Sequence, residues 1–171
     1  LKLIEDSELS IEVILVDDGS TDETGLKMRA LSLSNPKIQS YFLSKNFGQQ
    51  LAIAAGLQHV NATEAVLVVD GDLQDPPELL HDFYAHFKEG YDVVYAVRKK
   101  RKESFIKVLL YKVFYRFLST ISESDIFLDS GDFSLISMRV VKILNAMPEK
   151  GKFIRGMRSW VGFQQKGVEY E

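Results

Sequence analysis

Two short runs of nearly uninterrupted apolar residues each stop at a cluster of acids. Residues 11–16 (IEVILV) run into Asp17-Asp18-Gly19-Ser20, and residues 65–69 (AVLVV) into Asp70-Gly71-Asp72. A strand of alternating apolar and polar side chains has one wet face. A continuous apolar run has none, and calls for a parallel sheet covered by helices on both sides. The intervening stretches supply those helices. Ser20 and Glu23 form a capping-box pattern that predicts a helix to about Ser34, broken by Asn35-Pro36. Residues 38–43 read as a second strand, and residues 48–60 carry Leu51, Ile53, Ala54, Ala55 and Leu57 at helical spacing. Pro76-Pro77 opens a helix to about Glu89, and residues 92–97 form a fourth strand. The predicted class is therefore α/β, a mostly parallel sheet with helices on both faces. Such sheets bind ligands beyond the carboxyl ends of their strands, where both acid clusters stand.

Beyond Val97 the pattern changes. Residues 104–121 are a long helical stretch rich in Phe, Tyr, Leu and Val, and residues 129–133 read as a polar turn entering a short strand. Residues 138–147 predict a helix stopped by Pro148, while residues 151–171 take no assignment. Trp160, between Gly156 and Gly162, reads as core. With 171 residues, no repeat and no linker, residues 1–171 are expected to form a single domain. The absence of cysteine excludes a disulfide scaffold, a zinc finger and a thiol nucleophile. No run of eighteen apolar residues occurs, so nothing in the sequence spans a bilayer as a helix. The chain opens on Leu1 with no signal peptide, which reads as the edge of a fragment.

The net charge of −3 conceals an asymmetry. From Arg98 to Arg116 eight Lys/Arg face one acid, Glu103, leaving 13 basic against 23 acidic residues elsewhere. An otherwise acidic chain is a poor nucleic-acid binder. A solvated helix face explains the lysines but not their large apolar neighbours. A basic amphipathic helix over residues 98–121, lying on an anionic membrane surface, explains both.

Asp70 and Asp72 flank a glycine at a bend, so both carboxylates can reach one point. Hard oxygen donors of this kind suit Mg²⁺ or Mn²⁺ bound to a diphosphate, with Gln74 as a further oxygen ligand. The alternative is a solvated acidic turn that caps the following helix. An EF-hand loop counted from Asp70 fails, because Asp75 and His81 occupy its glycine and glutamate positions. No G-x-G occurs, and Gly151–Gly156 lacks the Lys-Ser/Thr of a phosphate loop. A D-x-D phosphatase with Asp70 as nucleophile stays open, although Gln74 replaces its usual Thr or Val. Asp17 and Asp18 can accept the N–H groups of a nucleotide base, or merely cap the next helix. Asp129 and Asp132 flank Gly131 in a turn that is either structural or catalytic. His59, His81 and His86 lack metal-ligand spacing and take no role.

Five ordered motifs carry a resemblance over nearly the whole chain: VDDGSTDET (16–24), SKNFGQQLAIAAG (44–56), VVDGDLQDPPELL (68–80), LDSGDFSLISMRVV (128–141) and KFIRGMRSWVGF (152–163). Together they resemble family 2 glycosyltransferases of the GT-A (nucleotide-diphospho-sugar transferase) fold, and within them the polyprenyl-phosphate glycosyltransferases. The resemblance implies an inverting, metal-dependent transfer of a hexose from a nucleotide-sugar, expected to be a UDP-sugar, to a polyprenyl-phosphate acceptor in cell-envelope glycan assembly. Asp17, Asp18, Asp70, Gly71 and Arg98 would contact the nucleotide-sugar. Asp70, Asp72 and Gln74 would hold the Mg²⁺ or Mn²⁺. Asp72, Asp132 and Asp129 would be catalytic, and Arg139 and Arg155 would meet the acceptor phosphate. The implied place is the cytoplasmic face of a membrane, the full-length protein being anchored and this fragment soluble, with a homo-oligomer compatible. The other function class is a non-catalytic scaffold or partner subunit that keeps the fold.

The chain departs from the family pattern in three places. Residues 1–9 read as the end of a helix that follows a central P-x-Y-N-E strand, whose place in the sheet is expected to be empty. Ser134 stands where similar proteins have Arg in D-F-R-L. The family's Arg-rich motif and transmembrane helices would lie beyond Glu171, so the fragment is expected to be impaired on lipid acceptors.

Overall fold

The computed structural model describes residues 2–72, 74–98 and 131–170. A short helix α1 (Lys2–Asp6) leads to β1 (Val13–Asp17), α2 (Thr24–Ser34) and β2 (Ile38–Phe42). β1 and β2 pair in parallel from Val13–Ile38 to Asp17–Phe42, with α2 as the crossover that parallel strands require. α3 (Gln49–Gln58) and β3 (Ala65–Val68) follow. A 3₁₀ turn (Pro77–Leu79) opens α4 (Leu80–Lys88), as the Pro76-Pro77 pair predicts. β4 (Val93–Arg98), β5 (Ser134–Ser137), α5 (Met138–Ala146), α6 (Ile154–Trp160) and β6 (Gln165–Tyr170) complete the order.

β3, β5, β4 and β6 form a four-stranded sheet in that order, and β1 with β2 forms a separate two-stranded one. The mostly parallel expectation needs correction here. β5 runs antiparallel to both β3 and β4, while β4 and β6 are parallel. The reason is topological: Ala96 donates its amide to the Phe133 carbonyl, so the chain re-enters the sheet at the end where β4 leaves it. A strand starting there can only run back. Among the described residues β1 pairs only with β2 and β3 only with β5. The sheet is thus broken between its two parts, as the resemblance leads one to expect.

The core lies on both faces of the larger sheet, because successive strand side chains point to opposite sides. Val93, Tyr95 and Ile136 pack with Ala54 and Leu57 of α3, Val140, Val141 and Leu144 of α5, and Ile154 and Met157 of α6. Val94, Ala96, Phe133 and Leu135 pack on Leu80 and Phe83 of α4.

Three local expectations change. The Ser20–Glu23 capping box does not form; α2 starts at Thr24, whose amide is taken by the Asp22 carboxylate. The unassigned tail contains α6 and β6. Trp160 is not core but 69% exposed, because Ile154, Met157 and Arg158 occupy the inward face of α6. The basic helix expected over residues 98–121 lies, apart from Arg98, outside the described residues.

Candidate active site

The strand ends of the larger sheet surround one cleft of about 310 Å³, lined by Asp70, Asp72 and Gln74 after β3, Arg98 of β4, Asp132 before β5 and Arg155 of α6. Gln49, Asp75 and Tyr170 complete its polar wall. Residues as far apart in sequence as Gln49 and Tyr170 meet here because β3 and β4 end, and β5 begins, on the same side of the sheet.

The loop bearing Asp70 and Asp72 is held at both ends. Gln49, in the first turn of α3, donates Nε2 to both Asp70 oxygens, at 2.8 and 2.9 Å. Tyr170, at the end of β6, donates its hydroxyl to Asp75 Oδ1 at 2.5 Å. Burial and this bond to Asp75 raise the Tyr170 pKa, with Arg98 opposing. Asp72 Oδ1 accepts the Gln74 amide at 3.0 Å, which shapes the bend. Arg98 Nη2 donates to the Gln74 carbonyl at 3.5 Å, and its guanidinium lies over the Tyr170 ring at 5.9 Å.

Asp132 is buried, and two side chains satisfy its carboxylate. Gln50 donates Nε2 to Oδ2 at 2.9 Å; Arg155 donates Nη2 to Oδ2 at 3.0 Å and Nε to Oδ1 at 3.3 Å. This is the forked arrangement that fixes a guanidinium plane. About a third of the Arg155 side chain remains exposed, and the residue lines the cleft.

The acid pair after β1 has taken structural work. Asp17 Oδ1 accepts the Ser20 amide at 3.0 Å, and Asp18 accepts the amides of Phe47 and Gly48 at 2.7 and 2.9 Å. Asp18 thereby secures the loop that presents Gln49 and Gln50. Gly19, directly after the acid pair, has φ +73°, and a Cβ there would lie 2.5 Å from the Lys45 carbonyl carbon, so only glycine fits. Neither aspartate lines the cleft. Gly71, between the two cleft aspartates, meets no neighbouring atom where a Cβ would stand.

Arg139 is a correction. It pairs with Asp92, at the opposite end of β4 from Arg98, donating Nη2 at 2.5 Å and Nε at 3.1 Å, and takes no part in the cleft. Ser137 ends the antiparallel β5, and Arg139 two residues later necessarily falls on the far side. Asp129 lies outside the described residues.

Sequence reasoning missed Gln49, Gln50, Asp75, Tyr170 and Arg158. A signal existed for the glutamines, two adjacent amides opening an otherwise apolar helix. None existed for Arg158, which reads as a surface charge three residues after Arg155. Its guanidinium is instead 1% exposed. Nη1 donates to Ser134 Oγ at 2.6 Å and Nη2 to the Gly131 carbonyl at 3.3 Å. Burial pulls its pKa down to about 10, with nearby Asp132 acting to raise it. The position at which the resemblance expects an arginine, Ser134, thus receives a guanidinium from α6.

Among the described residues no three acids or histidines cluster closely enough to cage a metal. Mg²⁺ needs no such cage, being held by one or two carboxylates plus substrate phosphates and water. Asp70 and Asp72, both facing the cleft, provide such a donor set.

The fold and the cleft together define a glycosyltransferase domain. The chain belongs to glycosyltransferase family 2: the family model "Glycosyl transferase family 2" matches residues 1–144. It is 43% identical over 170 residues to "Uncharacterized glycosyltransferase YkcC" of Bacillus subtilis, covering 99% of this chain and 52% of that protein. It is 36% identical to "Bactoprenol glucosyl transferase" of Shigella phage SfV, covering 94% of this chain and 52% of that protein. The chain spans about half the length of the curated relatives it matches. The crystal structure of S. aureus TarS 1-349 superposes with TM-score 0.60 at 20% identity, over 94% of this chain and 49% of that one. That likeness concerns the fold alone. The family match sets aside the phosphatase alternative.

Proposed function

We propose that the protein transfers a hexose, with inversion, from a UDP-sugar to a polyprenyl phosphate, using Mg²⁺ or Mn²⁺. The observation that carries the reading is the meeting of Asp70, Asp72, Arg98, Asp132 and Arg155 in one cleft at the strand ends. The bactoprenol-directed relatives support the choice of acceptor.

Asp70 and Asp72, with the Gln74 side chain, would hold the ion. When bound, the ion neutralises charge on the departing diphosphate. Gln49 keeps Asp70 aimed at the cleft, and Tyr170 keeps the far end of the loop in place through Asp75. Arg98, which lines the cleft, offers its positive charge to the donor phosphates. Arg155, held flat by Asp132, presents fixed positive charge to the acceptor phosphate and offsets repulsion between two anions. A phosphate acceptor is already ionised at neutral pH and needs little general-base help. Asp132, bound by Gln50 and Arg155, therefore orients rather than abstracts. Asp17 and Asp18 serve the nucleotide through the loops they fix at the end of β1. The basic segment after Arg98 would keep the enzyme at the membrane surface.

Titration calorimetry of the complete protein with UDP tests the reading. Mn²⁺-dependent binding is expected, weakened at least tenfold, about 1.4 kcal/mol, in Asp72→Ala. Binding that ignores Mn²⁺, or is unchanged in that variant, overturns it. Normal UDP binding with no sugar transfer from any UDP-hexose would instead favour the scaffold alternative.

A further inference from the structure

We propose that Arg158 is a positioning residue for the transfer reaction, clamping from beneath the turn that carries Asp132; this rests on the transferase reading above. The clamp has three points. Arg158 Nη2 holds the Gly131 carbonyl, the peptide oxygen just before Asp132. Arg158 Nη1 donates to Ser134 Oγ, and that hydroxyl donates onward to the Asp132 carbonyl at 2.9 Å. The backbone on both sides of Asp132 is thus tied to one rigid, planar guanidinium. The Asp132 carboxylate in turn sets the plane of Arg155. Arg158 touches no substrate; it acts through Asp132 on the guanidinium facing the cleft.

Stability alone does not account for this residue. Its neighbours on the inward face of α6 are Ile154 and Met157, and it lies over the Tyr95 ring at 5.7 Å. An apolar side chain of similar volume would pack there without the cost of desolvating a charge, which amounts to several kcal/mol per buried ion. What an apolar residue cannot do is hold two backbone carbonyls, one directly and one through a hydroxyl, in fixed relation. Lysine cannot do it either, having a point charge where arginine has a fork.

The test compares wild type, Arg158→Lys and Ser134→Ala in the complete protein, each also in an Asp132→Asn background. The assay is glucose transfer from UDP-glucose to undecaprenyl phosphate with Mn²⁺, followed by amide hydrogen exchange over residues 131–134. Ser134→Ala removes the relay without touching the buried charge, so a folding failure of the arginine variant does not end the experiment. Expected for Arg158→Lys are a kcat at least tenfold lower, a KM for UDP-glucose within twofold, and faster exchange confined to the turn. Ser134→Ala should shift the same quantities in the same direction by less. In the Asp132→Asn background either change should lower kcat by less than twofold more, because residues acting as a unit are not additive. Equal losses in both backgrounds, or unchanged exchange at the turn, overturn the proposal. If the wild type transfers no sugar, the transferase reading fails, and the exchange data alone then decide the clamp.

Discussion

Arg139 and Arg155 illustrate how little a residue's charge says about its role. Both precede or open helices near the sheet, yet one binds Asp92 at one end of β4 and the other faces the cleft at the opposite end. Arg139→Ala should leave kcat within twofold of wild type while lowering stability by roughly 1–3 kcal/mol, because the nearly buried Asp92 carboxylate loses its forked partner and keeps, among the described side chains, Ser137. Arg155→Ala should instead lower kcat at least tenfold, and it should also lower stability by roughly 1–3 kcal/mol because the buried Asp132 carboxylate loses its forked partner. Urea melts beside steady-state kinetics on both variants would expose any exchange of roles. Gly19 is constrained more tightly. Gly19→Ala forces a side chain against the Lys45–Asn46 backbone at positive φ, so a loss of roughly 1–3 kcal/mol is expected in urea melts.

At the scale of elements, α4 is tied to the loop before β3 by Glu64, which accepts from Tyr84 at 3.0 Å and Lys88 at 2.6 Å. The Lys88 and Tyr84 bonds lower the Glu64 pKa below its ordinary 4.5, and the Glu64 bond raises that of Lys88 above 10.5. A lowered carboxylate pKa contributes stability above the unfolded value, lost as pH falls through the folded one. A raised lysine pKa contributes stability below its unfolded value, lost as pH rises through the folded one. The melting-temperature difference between wild type and Glu64→Gln should therefore be flat across neutral pH and shrink below about 4.5. The strands also differ. β4 is bonded on both sides, by β5 and β6, whereas β1 and β3 each have one strand neighbour among the described residues. Amides of β4 and of β5, which lies between β3 and β4, should exchange most slowly, and those on the unpaired edges of β1 and β3 far faster, as exchange mass spectrometry would read directly.

For the molecule as a whole, strands were legible where both faces are covered. The apolar runs at 11–16, 65–69 and 92–97 match β1, β3 and β4 within two residues. Of the cleft, Asp70, Asp72, Gln74, Arg98, Asp132 and Arg155 were legible, since motif spacing puts polar residues at strand ends. The direction of β5 was not, because period-two alternation carries no sign; only the place where the chain re-enters the sheet sets it. Exposure of Trp160 and burial of Arg158 were hidden for a related reason: which face of a seven-residue helix turns inward is decided by its neighbours. That re-entry has a further bearing. Since Arg98 and Gly131 both line the cleft, an insertion between those two positions is closed by points that stand on the site. Doubling the length of such an insertion adds about 0.6 kcal/mol of closure entropy, a small toll for a domain of this size. A chain can therefore lengthen between those two positions at little cost while Asp70, Asp72 and Arg155 stay where they are.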